Sequence, residues 1–150
     1  MNETAADFAE VLAIVQGDFR GLYTGDAPAL RELFAPDAYL KAPGLRRSLD
    51  DWLSAVAARP VPQQQGATYA FRVLAIEVIK DQAMVKAECP LFEHFYVDFL
   101  GLLKEDGRWR IVNKMYTALY PLGVLLQVVG CATNQPRGFR NALRQYPGHR

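Results

Sequence analysis

The apolar positions of this chain change their spacing once, near its middle. From Ala5 to Tyr23 they recur three and four residues apart. Phe8, Val11, Leu12, Val15, Phe19 and Leu22 fall on one stripe of an amphipathic helix. Gly25 stops that helix, and Asp26 caps a second one, Ala27–Phe34, with Pro28 tolerated in its first turn. Tyr39–Ala42, ahead of Pro43, reads as a short extended piece. Ser48-Leu-Asp-Asp51 is a start box for a third helix, with Asp51 where Glu or Gln usually stands. Leu49, Trp52, Leu53 and Val56 form its buried stripe, and Pro60 lies past its end. Val61–Gly66 lacks periodicity and reads as a loop.

After Gly66 the period becomes two. Thr68–Ile79 has strand character, and Lys80-Asp81 turns the chain. Ala83, Val85, Ala87 and Cys89 then alternate with Gln82, Met84, Lys86 and Glu88, a pattern that buries one face and wets the other. Pro90 ends that strand. His94–Leu103 and Arg108–Ala118 are two more, joined by the hairpin signal Lys104-Glu-Asp-Gly-Arg108. Helices first and antiparallel strands afterwards predict an α+β fold with the helices on one face of the sheet. Leu122–Val129 suits a strand or a short buried helix, and Phe139–Tyr146 a further short helix.

Side-chain direction follows from the hairpin. With a three-residue loop, Glu105-Asp106-Gly107, Lys104 pairs with Arg108, Leu103 opposes Trp109 and Phe99 opposes Asn113. The face holding Phe95, Val97, Phe99, Gly101, Leu103, Trp109, Ile111, Asn113 and Met115 is then the more apolar and is expected to look toward the helices. A bulge would exchange the faces beyond it. Asp98 falls directly across from Lys114, which fits a cross-strand ion pair, a charge pair in a pocket or part of a subunit interface.

Composition narrows the classes. The chain has 150 residues, enough for one domain over 1–150, with a core at about 5–118 and an extension at 119–150. A net charge of +1 gives no large field for nucleic acid or a membrane surface, so neither is expected as a partner. The exception is local: Arg137, Arg140, Arg144 and Arg150 follow Leu119 with no acidic residue among them. No run approaches the ~20 apolar residues of a membrane span. Glu3, Asp7, Glu10 and Asp18 exclude a signal-peptide core, so a cytoplasmic location is expected. Cys89 and Cys131 form no disulfide framework, and with His94 and His149 as the sole histidines no metal site is expected. There is no phosphate loop and no nucleophile elbow. No cofactor is expected.

Taken together, Leu22-Tyr-Thr-Gly-Asp26, Leu33-Phe-Ala-Pro-Asp-Ala38, Tyr96-Val-Asp-Phe-Leu100 and Asp106-Gly-Arg-Trp-Arg-Ile-Val-Asn-Lys114 resemble the NTF2-like superfamily, more narrowly its SnoaL-like, lumazine-binding group, from about Phe8 to Thr117. The resemblance implies an NTF2-like cone: N-terminal helices packed on a strongly curved, mainly antiparallel sheet, a cavity at the open end, and often a homodimer through the outer sheet face. Ketosteroid isomerases, scytalone dehydratase and polyketide cyclases share the superfamily with many members that catalyse nothing, so fold leaves function open. This chain departs from the ketosteroid-isomerase set. Ala42 stands where the aspartate base precedes Pro43, Asp18 where the oxyanion tyrosine lies, and Phe99 (or Asp98 after a one-residue slip) where the second acid lies. Steroid isomerisation is rejected.

The candidate residues follow from both readings. Asp18 flanks the stripe of the first helix, as a cavity acid with a raised pKa or as a solvated edge residue. Asn113, on the expected inner face, needs a partner, from ligand or from the protein itself. His94 opens a strand amid aromatics. Asp18, His94 and Asn113 are the catalytic candidates. Tyr39, Trp52, Phe71, Phe95, Phe99, Trp109 and Asn113 are the candidate ligand contacts, for a small apolar or aromatic molecule. A binding protein, a cofactor-free isomerase, dehydratase or cyclase, and a dimeric interaction module all remain open.

Overall fold

The computed structural model describes residues 3–121. The expectations for Leu122–Val129, Phe139–Tyr146, the arginine-rich extension, Cys131 and His149 lie outside the described residues. Three helices, α1 (Glu3–Thr24), α2 (Ala27–Leu33) and α3 (Leu49–Ala58), pack on one sheet. Its strands are β1 (Phe34–Ala42), β2 (Leu45–Ser48), β3 (Arg72–Ile79), β4 (Gln82–Leu91), β5 (His94–Glu105) and β6 (Arg108–Pro121). They lie in the order β2-β1-β6-β5-β4-β3, antiparallel except for the parallel β1–β6 pair, and the sheet does not close. This is the expected α+β cone.

Local chemistry sets the helix ends. Asp26 accepts from the Ala29 N–H at 3.0 Å and Ser48 from the Asp51 N–H at 3.2 Å, each relieving an orphan donor of a first turn. The α1 stripe buries Val11, Val15, Phe19 and Leu22 against Val85, Ala87, Leu100, Leu102 and Ile111 of the sheet. Each such aliphatic side chain contributes roughly 1.5–3 kcal/mol on burial. Gly21 lets α2 approach, since a Cβ there would stand 2.5 Å from Leu30.

Strand limits differ from the sequence pattern in places. Extended structure starts at Phe34, not Tyr39, because β1 pairs with both β2 and β6. The β3 strand begins at Arg72, leaving Thr68–Phe71 outside it. The hairpin expectation is corrected as well. Its loop has two residues, Asp106 and Gly107, both left-handed (φ 51° and 74°), so Glu105 pairs with Arg108 and Lys104 with Trp109. An Asp-Gly pair favours that turn because its twist matches the strands.

The inner-face expectation is also corrected, in two steps. The shorter turn places Lys104, Leu102, Leu100 and Asp98, not Leu103, Gly101 and Phe99, on the face of Trp109 and Ile111. A bulge then intervenes: Leu102 pairs with Ile111 but Gly101 with Asn113, so Val112 is an extra residue. Beyond it the β6 faces exchange. Lys114 and Tyr116 turn inward, while Asn113 and Met115 share the outer face with Phe99 and Met84. Asp98 opposes Tyr116, not Lys114, which is its diagonal neighbour.

Candidate functional site

The bulge at Val112 brings three charges from distant parts of the chain into one buried place. Lys114 of β6 points its ammonium at Asp18 of α1 (3.0 Å) and at Asp98 of β5 (3.2 Å). Its Nζ also lies 5.2 Å from the Trp52 ring of α3, a cation–π contact that occupies the remaining side of the ammonium. Cys89 of β4 donates its thiol to Asp98 Oδ2 at 3.2 Å. Asp18 is 0% exposed, Asp98 3% and Lys114 4%. Charges this deep persist only when paired and hydrogen-bonded.

One ammonium faces two carboxylates, so the cluster carries either a net negative charge or an additional proton. Burial pushes the Asp18 carboxyl above its ordinary range; Lys114 opposes that and Asp98 reinforces it. Burial disfavours the charge on Lys114, but Asp18 and Asp98 outweigh it and its pKa rises. Burial, then Asp98, drives the Cys89 thiol far upward, so it is no nucleophile. Asp18 is the carboxyl that burial pushes up, and its Oδ1 is buried with no hydrogen-bond partner among the described residues.

A second network lies toward the start of α1. Asp7 accepts from the Trp109 indole at 3.0 Å and from Lys104 at 2.8 Å. Those bonds fix Trp109, 2% exposed, inside the core. Asp7 and Tyr23 are sixteen residues apart on α1, about 24 Å at 1.5 Å per residue.

The apolar hollow is at the Tyr23 end. It holds about 490 Å³ and is lined by Tyr23, Pro62, Ala67, Thr68, Ala70, Phe71, Pro90, Leu91, Phe92 and Phe95. Its wall is braced by aromatic contacts: Phe71 stacks on Phe19 at 5.3 Å and meets Tyr69 at 5.0 Å. Tyr23 donates its hydroxyl to Ala67 O at 2.9 Å, tying the 61–67 loop to α1. Phe92, at the β4–β5 turn, adopts φ 56°. That conformation is an outlier for a bulky side chain. Arg59, just past α3, sets its guanidinium 5.0 Å from the Phe92 ring centre. Another depression, about 320 Å³, is bordered by Glu3, Asp7, Lys80, Asp81 and Lys104, and Asp7 and Lys104 already pair with each other.

The candidates from sequence separate accordingly. Phe71 and Phe95 line the hollow. Asp18 is in the charged cluster, with Trp52 packed over it. Trp109 sits with Asp7, away from the hollow, so the space beneath it is core. Asn113, Tyr39 and Phe99 are on the outer sheet face: Tyr39 pairs with Asn113, and both Tyr39 and Phe99 are exposed. His94 is exposed in the β4–β5 hairpin, its ring 5.6 Å from Tyr96. Sequence reasoning missed Asp7, Arg59 and Phe92. A buried Asp one turn ahead of Val11 carries no signal of its own. For Phe92, the two-residue link between Leu91 and His94 was the available clue.

No curated protein matches the chain. A solved NTF2-like protein of unknown function from Silicibacter pomeroyi is 26% identical over 79% of this chain and 99% of its own, with a TM-score of 0.64. One from Shewanella baltica, also of unknown function, is 14% identical over 79% and 98%, with a TM-score of 0.66, and supports the fold alone. An NTF2-like protein from Cytophaga hutchinsonii is 16% identical over 79% and 99%, with a TM-score of 0.58. The family model described as "Putative lumazine-binding" matches residues 6–117, and the chain belongs to that family within the NTF2-like superfamily.

Proposed function

We propose that the chain binds a small apolar or aromatic molecule in the hollow between Tyr23, Phe71, Phe92 and Phe95. The carrying observation is Phe92. Left-handed backbone costs a bulky residue of order 1–3 kcal/mol, and such strain persists where the side chain has a task. Here the side chain closes a hollow whose volume is ordinary for a ligand pocket. The family's name is consistent with a small-molecule ligand.

Asparagine tolerates the left-handed region, so Phe92→Asn separates the two roles. The variant is expected to melt at or above the wild-type temperature while binding N-phenyl-1-naphthylamine, read by its fluorescence, at least severalfold more weakly. Unchanged affinity for that probe would remove the hollow as a site.

Acid–base catalysis is the lesser reading. The Asp18 carboxyl is pushed up by burial, yet it is sealed from solvent with Oδ2 committed to Lys114, so it touches no substrate without rearrangement. A second copy of the chain against the outer sheet face completes the proposal, since Tyr39, Met84, Phe99 and Met115 are exposed there.

A further inference from the structure

We infer that the molecule taken by the hollow is an organic anion, its charged oxygens held by Arg59 and its apolar body by Phe71, Phe92 and Phe95. This rests on the hollow being a binding site, and adds the chemical class of what it binds.

Arg59 is the observation. Its Nη2 is buried without a hydrogen-bond partner among the described residues. Every described salt bridge is made by another cation, so among the described residues no carboxylate lies within 4.0 Å of Arg59 or of Arg47. Arg47 is close enough to press on the Arg59 charge, which burial already disfavours. A guanidinium placed this way is costly, because an unpaired buried donor loses its water and gains nothing in return. Its face rests on Phe92, 5.0 Å from the ring centre, and Phe92 is a wall of the hollow. The loop leaving Arg59 places Pro62 in the same wall.

Nearby acids do not supply the missing charge. Tyr96 and Asp18 are near enough to act on Arg59, but burial raises the Tyr96 phenol and keeps it neutral, and no Asp18 oxygen comes within 4.0 Å of the guanidinium. Arg59 is thus a planar donor fork stacked on the Phe92 wall of an apolar hollow, with a second cation, Arg47, near it. A carboxylate or sulfonate carried on an aryl or alkyl body meets both requirements: bidentate acceptance at the fork and burial of the remainder.

Two probes with the same aromatic body test this: 8-anilino-1-naphthalenesulfonate, which is anionic, and N-phenyl-1-naphthylamine, which is neutral. A charged hydrogen bond implies that wild-type protein prefers the sulfonate by about tenfold or more. Arg59→Gln is expected to erase the preference by weakening the sulfonate far more than the neutral probe, whose continued binding also reports that the fold is intact. Arg59→Lys is expected to keep part of the preference, and Phe92→Asn to weaken both probes, placing them in the hollow. Equal affinity in the wild type, or a preference that survives Arg59→Gln, overturns the anion while leaving the hollow as a site. Failure of both probes to bind overturns the hollow and the anion together.

Discussion

At the scale of single residues, Lys114 has the largest consequence. Its ammonium is the one cation within 4.0 Å of both Asp18 and Asp98 among the described residues. Truncating one partner of a buried ion pair leaves an uncompensated charge, which costs about 3–5 kcal/mol. Lys114→Met keeps the length of the side chain and removes the charge, so the loss is electrostatic rather than a cavity. The expected result is a melting temperature lower by about 10 °C or more. Neutralising all three groups, Asp18→Asn with Asp98→Asn and Lys114→Met, is expected to recover much of that loss. A single Lys114→Met variant that melts with the wild type would show the cluster to be solvated. Each of these charges is plain in the sequence. The pairing of Asp98 with Lys114 was legible in the strands; their turn inward to meet Asp18 was not, because it needs a turn one residue shorter than the spacing suggested and one residue too many in β6.

At the scale of elements, the helices and the succession of β3 to β6 were legible, while β2, the order of strands in the sheet and the faces were not. Helical stripes, the Asp26 and Ser48 caps and the alternation of β4 are local properties, and they appear where the pattern places them, except that Phe8 of the α1 stripe is exposed. Face assignment in β5 and β6 is different, since a one-residue slip inverts every side chain. Val112 supplies such a slip, and it sent Asn113 outward and Lys114 inward. Trp109, a candidate ligand contact from its expected face, lies in the core with Asp7, and the hollow is instead at the β4–β5 turn. The exchange also leaves apolar side chains on the outer face, Phe99 opposite Met115 with Met84 nearby. An exposed group of this kind is ordinarily an interaction surface. A copy related by a two-fold axis would meet it with the same residues. Sedimentation of the wild type is expected to give a dimer at micromolar concentration, and Phe99→Glu a monomer with unchanged secondary structure. A monomeric wild type would sink the dimer.

At the scale of the whole molecule, the buried titrating groups make stability unequal on the two sides of neutrality. Hydrogen bonds from Lys104 and Trp109 hold the Asp7 carboxyl below its ordinary 3.8, so its stabilisation is present above that pH and is lost as pH falls through the folded value. Asp18 has the opposite sign: its folded pKa is raised, so acidification toward 3.8 favours the folded state. The two act in different windows: above 3.8 only Asp18 contributes, so stability is expected to rise as pH falls toward 4, and the loss of Asp7 reverses that rise below it. On the alkaline side the signs agree. Lys104 and Lys114 are both raised above 10.5, and their stabilisation is complete below that value and lost as pH climbs through the folded ones. Cys89 is raised above its ordinary 9.0, so the unfolded chain releases its proton first and stability declines from about pH 9. Melting temperatures between pH 3 and pH 11 are expected to show that asymmetry, with the alkaline decline starting near pH 9. Cys89→Ser keeps a donor toward Asp98 and removes the titrating thiol, so the onset is expected to move up to the lysine range. An onset that stays at pH 9 in Cys89→Ser would assign the decline to some other group and leave the thiol a bystander.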